Sequence, residues 1–371
     1  MAGQDNYISF FKKWFPVNKA KGLLAQLSFE NEFENGFLKK YSGNFYPGCW
    51  VISPKSHESH RARYAVFIHN RIEDASGAGK NVDSLLGSKK EIFNKIARFL
   101  DSSSFGVIYA VPHTADGHLD FSKLDGDGFD SLKWNLFILN GTSFVLLDAG
   151  KFFSKWRGGM RPRRPQESQK WDSNEQIISK LSKIPTEKLE AFVLKEIFYT
   201  GFLKSVIKVS TDDPYDVDSF IISTQDNSVF PVELKEKSPV FEKYKKGDQI
   251  REHYFGIDSG RISCLERICS PNDANAFYVV REVEDGKDGK ERNLVKWKCM
   301  TLSGVIMAAS WNAIGGGSGM FGSTTSTVKL PYGEFADLTD QTFSEENLKK
   351  VSSRTRAMKM ISDDYRSSLQ K

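Results

Sequence analysis

Three stretches in the first half of the chain carry apolar residues in short, β-branched and aromatic runs. They are YAVFIHNRI over 64–72, FGVIYAVP over 105–112 and WNLFILNGTSFVLLDA over 134–149. That composition suits half-buried strands. The last run is broken by Asn140-Gly141, which predicts a hairpin. Between them KKEIFNKIARFL over 89–100 sets Ile92, Ile96 and Phe99 at spacings of three and four, predicting an amphipathic helix. Residues 1–155 are therefore expected to form a compact α+β module.

The pattern breaks at KWRGGMRPRRPQESQKW, residues 155–171. Gly158-Gly159, two prolines, and five positive charges between Lys155 and Arg164 predict a boundary, so 156–171 reads as a basic linker. Arg157, Arg161, Arg163 and Arg164 either solvate that linker or contact phosphates, for which the guanidinium fork is well shaped. Beyond it, SNEQIISKLSKI (173–184) and PTEKLEAFVLKEIFYTGFLKSV (185–206) predict helices. In the second, Leu189, Phe192, Val193, Glu196 and Ile197 recur at helical spacing. Residues 244–269 predict one or two further helices, and 275–285 and 293–302 predict strands. A glycine-rich loop at 315–323 precedes a polar C-terminal helix. Residues 172–371 form the expected second domain.

The stretch DVDSFIISTQDNSVFPVELKEK, 216–237, predicts two strands joined by a turn at TQDNS. Both are apolar enough to be buried, yet they carry Asp218, Glu233 and Lys235. Burying a charge without a partner is costly, so these three are expected to meet one another. A turn centred between 225 and 226 sets Asp218 opposite Glu233; one centred between 226 and 227 sets it opposite Lys235. Side chains alternate faces along a strand, so either register puts all three on one face. Cross-strand ion pairing on a solvated hairpin would give the same pattern. Two carboxylates at close quarters otherwise call for a cation, and Mg²⁺ prefers such oxygen ligands. Lys235 would then orient a water and stabilise charge growing on a phosphate.

Asp218 followed fifteen residues later by Glu233-Leu234-Lys235 resembles the PD-(D/E)XK nuclease superfamily, which includes many restriction endonucleases. The resemblance covers about residues 185–300. It implies an α/β (α+β) fold: a restriction-endonuclease-like mixed sheet flanked by helices; the N-terminal α+β domain, residues 1–155, is assigned to DNA recognition by elimination. It further implies that Asp218 and Glu233 hold Mg²⁺, with Mn²⁺ able to substitute, and that Lys235 assists the hydrolytic water. A helix before the hairpin would add an acid; Glu196 is the first choice and Glu190 the reserve. Val217 stands where the family has proline, and Asp216 rivals Asp218 as the first carboxylate. Arg261, in FGIDSGRI, becomes a candidate DNA contact. The implied activity is a type II restriction enzyme that cuts double-stranded DNA as a homodimer. A repair-type or modification-dependent nuclease, or a non-catalytic nucleic-acid-binding defence protein, are the alternatives.

Composition narrows the picture only a little. With 371 residues, 39% hydrophobic and 27% charged, the chain can bury a core or two without staples. A formal charge of +5 permits a polyanion partner without demanding one. Cys49, Cys264, Cys269 and Cys299 form no CxxC pair, which argues against a zinc ribbon and a disulfide framework. No apolar run reaches the roughly 18 residues a membrane helix needs, so a cytoplasmic protein without membrane contact is expected. His57 and His60 lie in a polar loop and are expected on the surface. No nucleophile elbow or nucleotide-binding P-loop occurs.

Overall fold

A computed structural model describes residues 4–36, 38–39, 43–54, 62–121, 129, 131–156, 171, 175–209, 211, 215–224, 226–241, 253–285, 292–315 and 326–338. The chain divides into two compact units, Met1–Leu27 with Tyr46–Phe220, and Ser28–Phe45 with Ile221–Lys371. Both are mixed α/β.

The first unit opens with α1 (Gln4–Trp14) and α2 (Val17–Glu34), then β1 (Gly43–Ile52) and β2 (Arg63–Ile68). Next come α3 (Val82–Leu86), α4 (Lys90–Ser102), β3 (Phe105–His113), β4 (Lys133–Asn140) and β5 (Ser143–Leu147). It closes with α5 (Ala149–Phe153), α6 (Glu175–Leu181), α7 (Thr186–Ile197) and β6 (Tyr215–Ser223). The unit boundary falls inside α2, β1 and β6. The strands lie in the order β6-β1-β2-β3-β4-β5. β2 and β3 run parallel, while β3, β4 and β5 are antiparallel. The expected hairpin forms: Asn140 pairs with Ser143, and Gly141 takes φ 63° in the turn.

Two expectations about this unit are corrected. Helix α4 buries Phe93, Ile96, Ala97 and Leu100 rather than Ile92, Ile96 and Phe99. The two stripes share Ile96, but only the first repeats through i, i+3, i+4 and i+7, a complete helical face. The second concerns the boundary at 156–171, which is not where the units divide. Trp156, Trp171 and the apolar faces of α6 and α7 pack into the same core as Phe10, Phe11 and Phe15. Trp171 donates its indole N–H to the Phe15 carbonyl at 3.1 Å. Long-range burial of two indoles outweighs the local glycine and proline punctuation. Arg157, Arg161, Arg163 and Arg164 lie outside the described residues, as do His57, His60, residues 316–323 of the glycine-rich loop and the C-terminal segment beyond 338. After α7 the chain continues as a wider π-helix over Phe198–Ile207, ended by Lys208 in the left-handed region at φ 57°.

The second unit begins with β7 (Val229–Lys237), β8 (Val240–Phe241) and β9 (His253–Asp258). Then follow α8 (Ser259–Cys269), β10 (Phe277–Asp285), β11 (Arg292–Thr301) and α9 (Leu302–Ala308). The last strands are β12 (Ser310–Gly315), β13 (Ser326–Pro331) and β14 (Ala336–Asp337). Strand orders within it are β14-β11-β10-β7 and β12-β13-β9-β8. β7 runs parallel to β10, with Glu233 beside Tyr278. The expected strands at 275–285 and 293–302 are β10 and β11. Residues 253–258, expected in a helix, form β9 instead. Gly256 weakens helix there, and pairing with β13 and β8 satisfies the backbone on both sides. Only at Asp258, whose side chain accepts the Gly260 amide, does α8 start.

Among the described residues no helix is long and apolar enough to cross a membrane. All four cysteines are free and buried.

Candidate functional site

The turn between β6 and β7 closes through a 2.9 Å bond from the Ser223 amide to the Ser228 carbonyl. Asn227 adopts φ 61°, a conformation asparagine tolerates well, and Asp226 accepts the Ser228 amide at 3.0 Å. This is the turn centred between 225 and 226.

On β7 the two-residue repeat sets Glu233, Lys235 and Lys237 on one face. Glu233 is only 1% exposed. Val232 and Leu234 on the other face are buried as well, so this strand is covered on both sides, as befits one paired in parallel. The Glu233 carboxylate is held at both oxygens. Lys235 Nζ lies 2.5 Å from Oε1, a charge contact without hydrogen-bond alignment. Arg261, in the first turn of α8, donates Nη1–H to Oε2 at 2.7 Å. Asp258 caps the helix that presents Arg261.

Lys237 extends the cluster by one more step along the strand. Its ammonium donates to the Gly256 carbonyl, which also accepts the Tyr278 hydroxyl at 3.0 Å. Burial, then the positive charge of Lys235, push the Lys237 pKa down to about 8; Arg261 adds to this while Glu233 and Asp258 oppose it. Burial and the adjacent Glu233 charge push the Tyr278 phenol upward, so it stays protonated as a donor. Three cations thus surround one buried carboxylate and one helix cap, which favours an incoming anion such as phosphate.

The Lys237 shift has a pH consequence. Between about pH 8 and 10.5 the unfolded chain binds a proton that the folded chain does not. Stability therefore rises with pH through that window, and the gain is lost again as pH falls back to about 8. Lys237→Met is expected to flatten the rise by on the order of 3 kcal/mol. Urea unfolding of both proteins at several pH values measures it, and identical pH slopes would refute the shift.

The first unit holds the other candidates. Asp218, 7% exposed, accepts a 2.7 Å hydrogen bond at Oδ1 from the Gln26 side-chain amide. Its rival Asp216 sits 3.8 Å from Lys195 Nζ. Glu196 is buried and salt-bridged to Lys19 at 2.8 Å. Glu190, the reserve acid, accepts the Ile72 amide at 3.3 Å and the Tyr7 hydroxyl. Burial raises its carboxyl above the usual range. Each of these acids has its own partner.

Several groups carry chemistry that pattern reading passed over. Lys237 was legible as the third member of a same-face series. Arg261 gave no sign of its partner, since 28 residues separate it from Glu233. His69 and Glu73 stand four apart, but not on a helix. There His69 Nε2 meets Glu73 Oε1 at 3.1 Å and Nδ1 meets the Tyr109 hydroxyl at 2.8 Å, all three buried.

Among the described residues no group of three or more His, Cys, Asp or Glu side chains is arranged to hold a metal ion. Carboxylate oxygens such as those of Glu233 are nevertheless the right donors for a hard divalent cation. Mg²⁺ commonly takes only one or two carboxylates and fills the remainder with water and phosphate. No protein-family model, curated protein or solved structure matches the chain.

Proposed function

We propose that the chain is a Mg²⁺-dependent endonuclease that hydrolyses phosphodiester bonds of double-stranded DNA, as type II restriction enzymes do. The supporting observation is the Glu233–Lys235–Arg261 cluster, in which an E-x-K strand delivers a buried carboxylate and an ammonium to one spot and a helix adds a guanidinium. Glu233 would supply a carboxylate ligand to the ion, with Mn²⁺ able to replace it. When bound, the ion would polarise the scissile phosphate and lower the pKa of a water.

The chain's own groups do the rest. Arg261 leaves Glu233 in part to grip a phosphate oxygen, an exchange of one anionic partner for another. Lys235 follows the charge that develops on the phosphate and steadies it. Lys237, with its pKa lowered to about 8, can release a proton at modest cost. Cutting both strands at matched half-sites calls for a homodimer with twofold symmetry.

Plasmid DNA incubated with Mg²⁺, and separately with EDTA, tests the proposal. Discrete bands in Mg²⁺ alone would support a sequence-specific enzyme, and a smear would support repair-type activity. Lys235→Ala is expected to abolish cutting while leaving DNA retention in a gel-shift measurable. Cleavage by that variant at the parental rate would remove Lys235 from the reaction.

A second function has one observation in its favour. Glu233 is already neutralised by two cations, as it would be in a non-catalytic nucleic-acid-binding defence protein. DNA binding with no cleavage under either Mg²⁺ or Mn²⁺ would select it.

A further inference from the structure

The first unit contains a cavity of about 130 Å³ that the nuclease chemistry does not use. Its wall includes Tyr46, Phe67, His69 and Tyr109, with Lys89 and Lys195 also lining it. An apolar cavity of about 150 Å³ holds one benzene ring, so this space suits a single six-membered ring and not a fused bicycle. The aromatic side of the wall is rigid. Phe67 packs edge-on against Tyr46 and Phe93, with ring centroids 6.2 and 5.0 Å apart.

The polar side has a defined proton order. Burial works to raise the Glu73 carboxyl, but hydrogen bonds from Arg71 and His69 outweigh it and keep the group ionised. Arg71 Nε donates to Oε1 at 2.6 Å. Burial pushes the His69 pKa down, so the ring is neutral at pH 7. A neutral ring facing a carboxylate at Nε2 carries its proton there, which leaves Nδ1 to accept the Tyr109 hydroxyl. Burial, reinforced by Glu73, also raises the Tyr109 phenol and keeps that proton in place. Tyr109 therefore has only oxygen lone pairs left to offer. Tyr46 differs: its ring lines the cavity beside Tyr109, and no protein acceptor or donor is bonded to its hydroxyl among the described residues. A hydroxyl that opens into a cavity and has no protein bond is available to a ligand atom.

We infer that this cavity binds a pyrimidine nucleotide. The ring sits against Phe67, its polar edge meets the Tyr46 hydroxyl and the Tyr109 oxygen, and its phosphate is met by the exposed Lys89, with Lys195, already 3.8 Å from Asp216, behind it. Every pyrimidine base carries adjacent donor and acceptor atoms on its pairing edge, which is what one acceptor beside one hydroxyl can satisfy. The nucleotide is either free in solution or turned out of a DNA strand; the chemistry is the same in both cases.

The test is run in EDTA, so its outcome does not depend on whether the protein cuts DNA. Calorimetric titration with dCMP, TMP and dAMP reads the free nucleotide. A duplex carrying 2-aminopurine beside a mismatched pyrimidine reads extrusion, as a rise in fluorescence. At least one pyrimidine arm is expected to be positive, dAMP is expected not to bind, and whichever arm responds identifies the source. Tyr46→Phe is expected to weaken the positive arm about fivefold or more, the loss of one hydrogen bond. Its thermal unfolding should be unchanged, because the hydroxyl has no protein partner to lose. Lys89→Ala should weaken dCMP more than deoxycytidine. Silence in both arms, dAMP binding as tight as dCMP, or a Tyr46→Phe protein that binds like the parent would each overturn the assignment.

Discussion

Glu233→Ala is expected to abolish plasmid cleavage and also to destabilise the folded chain by about 3 kcal/mol. The two effects have separate causes. Loss of cleavage follows if the carboxylate holds the metal, as proposed. Loss of stability follows from the ion pairs alone. Glu233 is buried, and its removal leaves the Lys235 ammonium and the Arg261 guanidinium facing each other with no anion between them. Breaking a buried pair from one side costs about 3–5 kcal/mol; the lower end applies because Lys235 and Arg261 keep some contact with water. Glu233→Ala paired with Arg261→Met should recover part of the stability and none of the cleavage. Chemical denaturation together with the plasmid assay separates the two. An unfolding midpoint equal to the parent's would mean that the cluster is not the buried ion-pair network described above.

Gly48→Ala is expected to be at least as damaging, by about 3 kcal/mol or more. Gly48 lies in β1, and a Cβ placed there would run into the Val217 carbonyl and the backbone of Asp218. Those atoms belong to main chain in β6 and cannot rotate aside as the tip of a side chain can. β1 and β6 must therefore separate, which strains the ladder between them, or the variant fails to fold. Any protein that does fold should carry a displaced Asp218, because the strand that bears it must move away from β1. Thermal unfolding read beside the Gly22→Ala control is the measurement, since a Cβ at Gly22 meets nothing within 4 Å. Equal melting of the two variants would contradict the close approach of β1 and β6.

Much of the local structure was legible in the sequence because it rests on contacts between near neighbours. Asn140-Gly141 predicted a hairpin, and Gly141 occupies the left-handed region in its turn. Pro185 and Thr186 marked the start of α7. The helical spacing from Leu189 to Ile197 identified most of its buried face, although Leu194 is buried and Phe192 only half so. Glu233 and Lys235, two residues apart on one strand, had to share a face once β7 formed. Where competing signals were close in strength, local reading failed. Ile92, Ile96 and Phe99 looked as good a stripe as the true one. Nothing in the letters of 244–269 warned that residues 253–258 would be claimed as a strand by β13 and β8.

Neighbouring letters thus specify the kind of structure and the pairing of charges within one strand: mixed α/β elements, a tight turn between β6 and β7, and Glu233 beside Lys235. Other features arise only in the folded chain. Arg261 closes on Glu233, Trp156 and Trp171 join the core with α1, and His69, Glu73 and Tyr109 form a buried chain beside a cavity. The difference is one of range. A strand's two-residue repeat and a turn's dihedral preferences act over a few residues, so adjacent positions encode them. Partners such as Arg261 and Glu233, 28 positions apart, meet only when burial of distant apolar faces brings their backbones together, and no short-range pattern encodes that meeting.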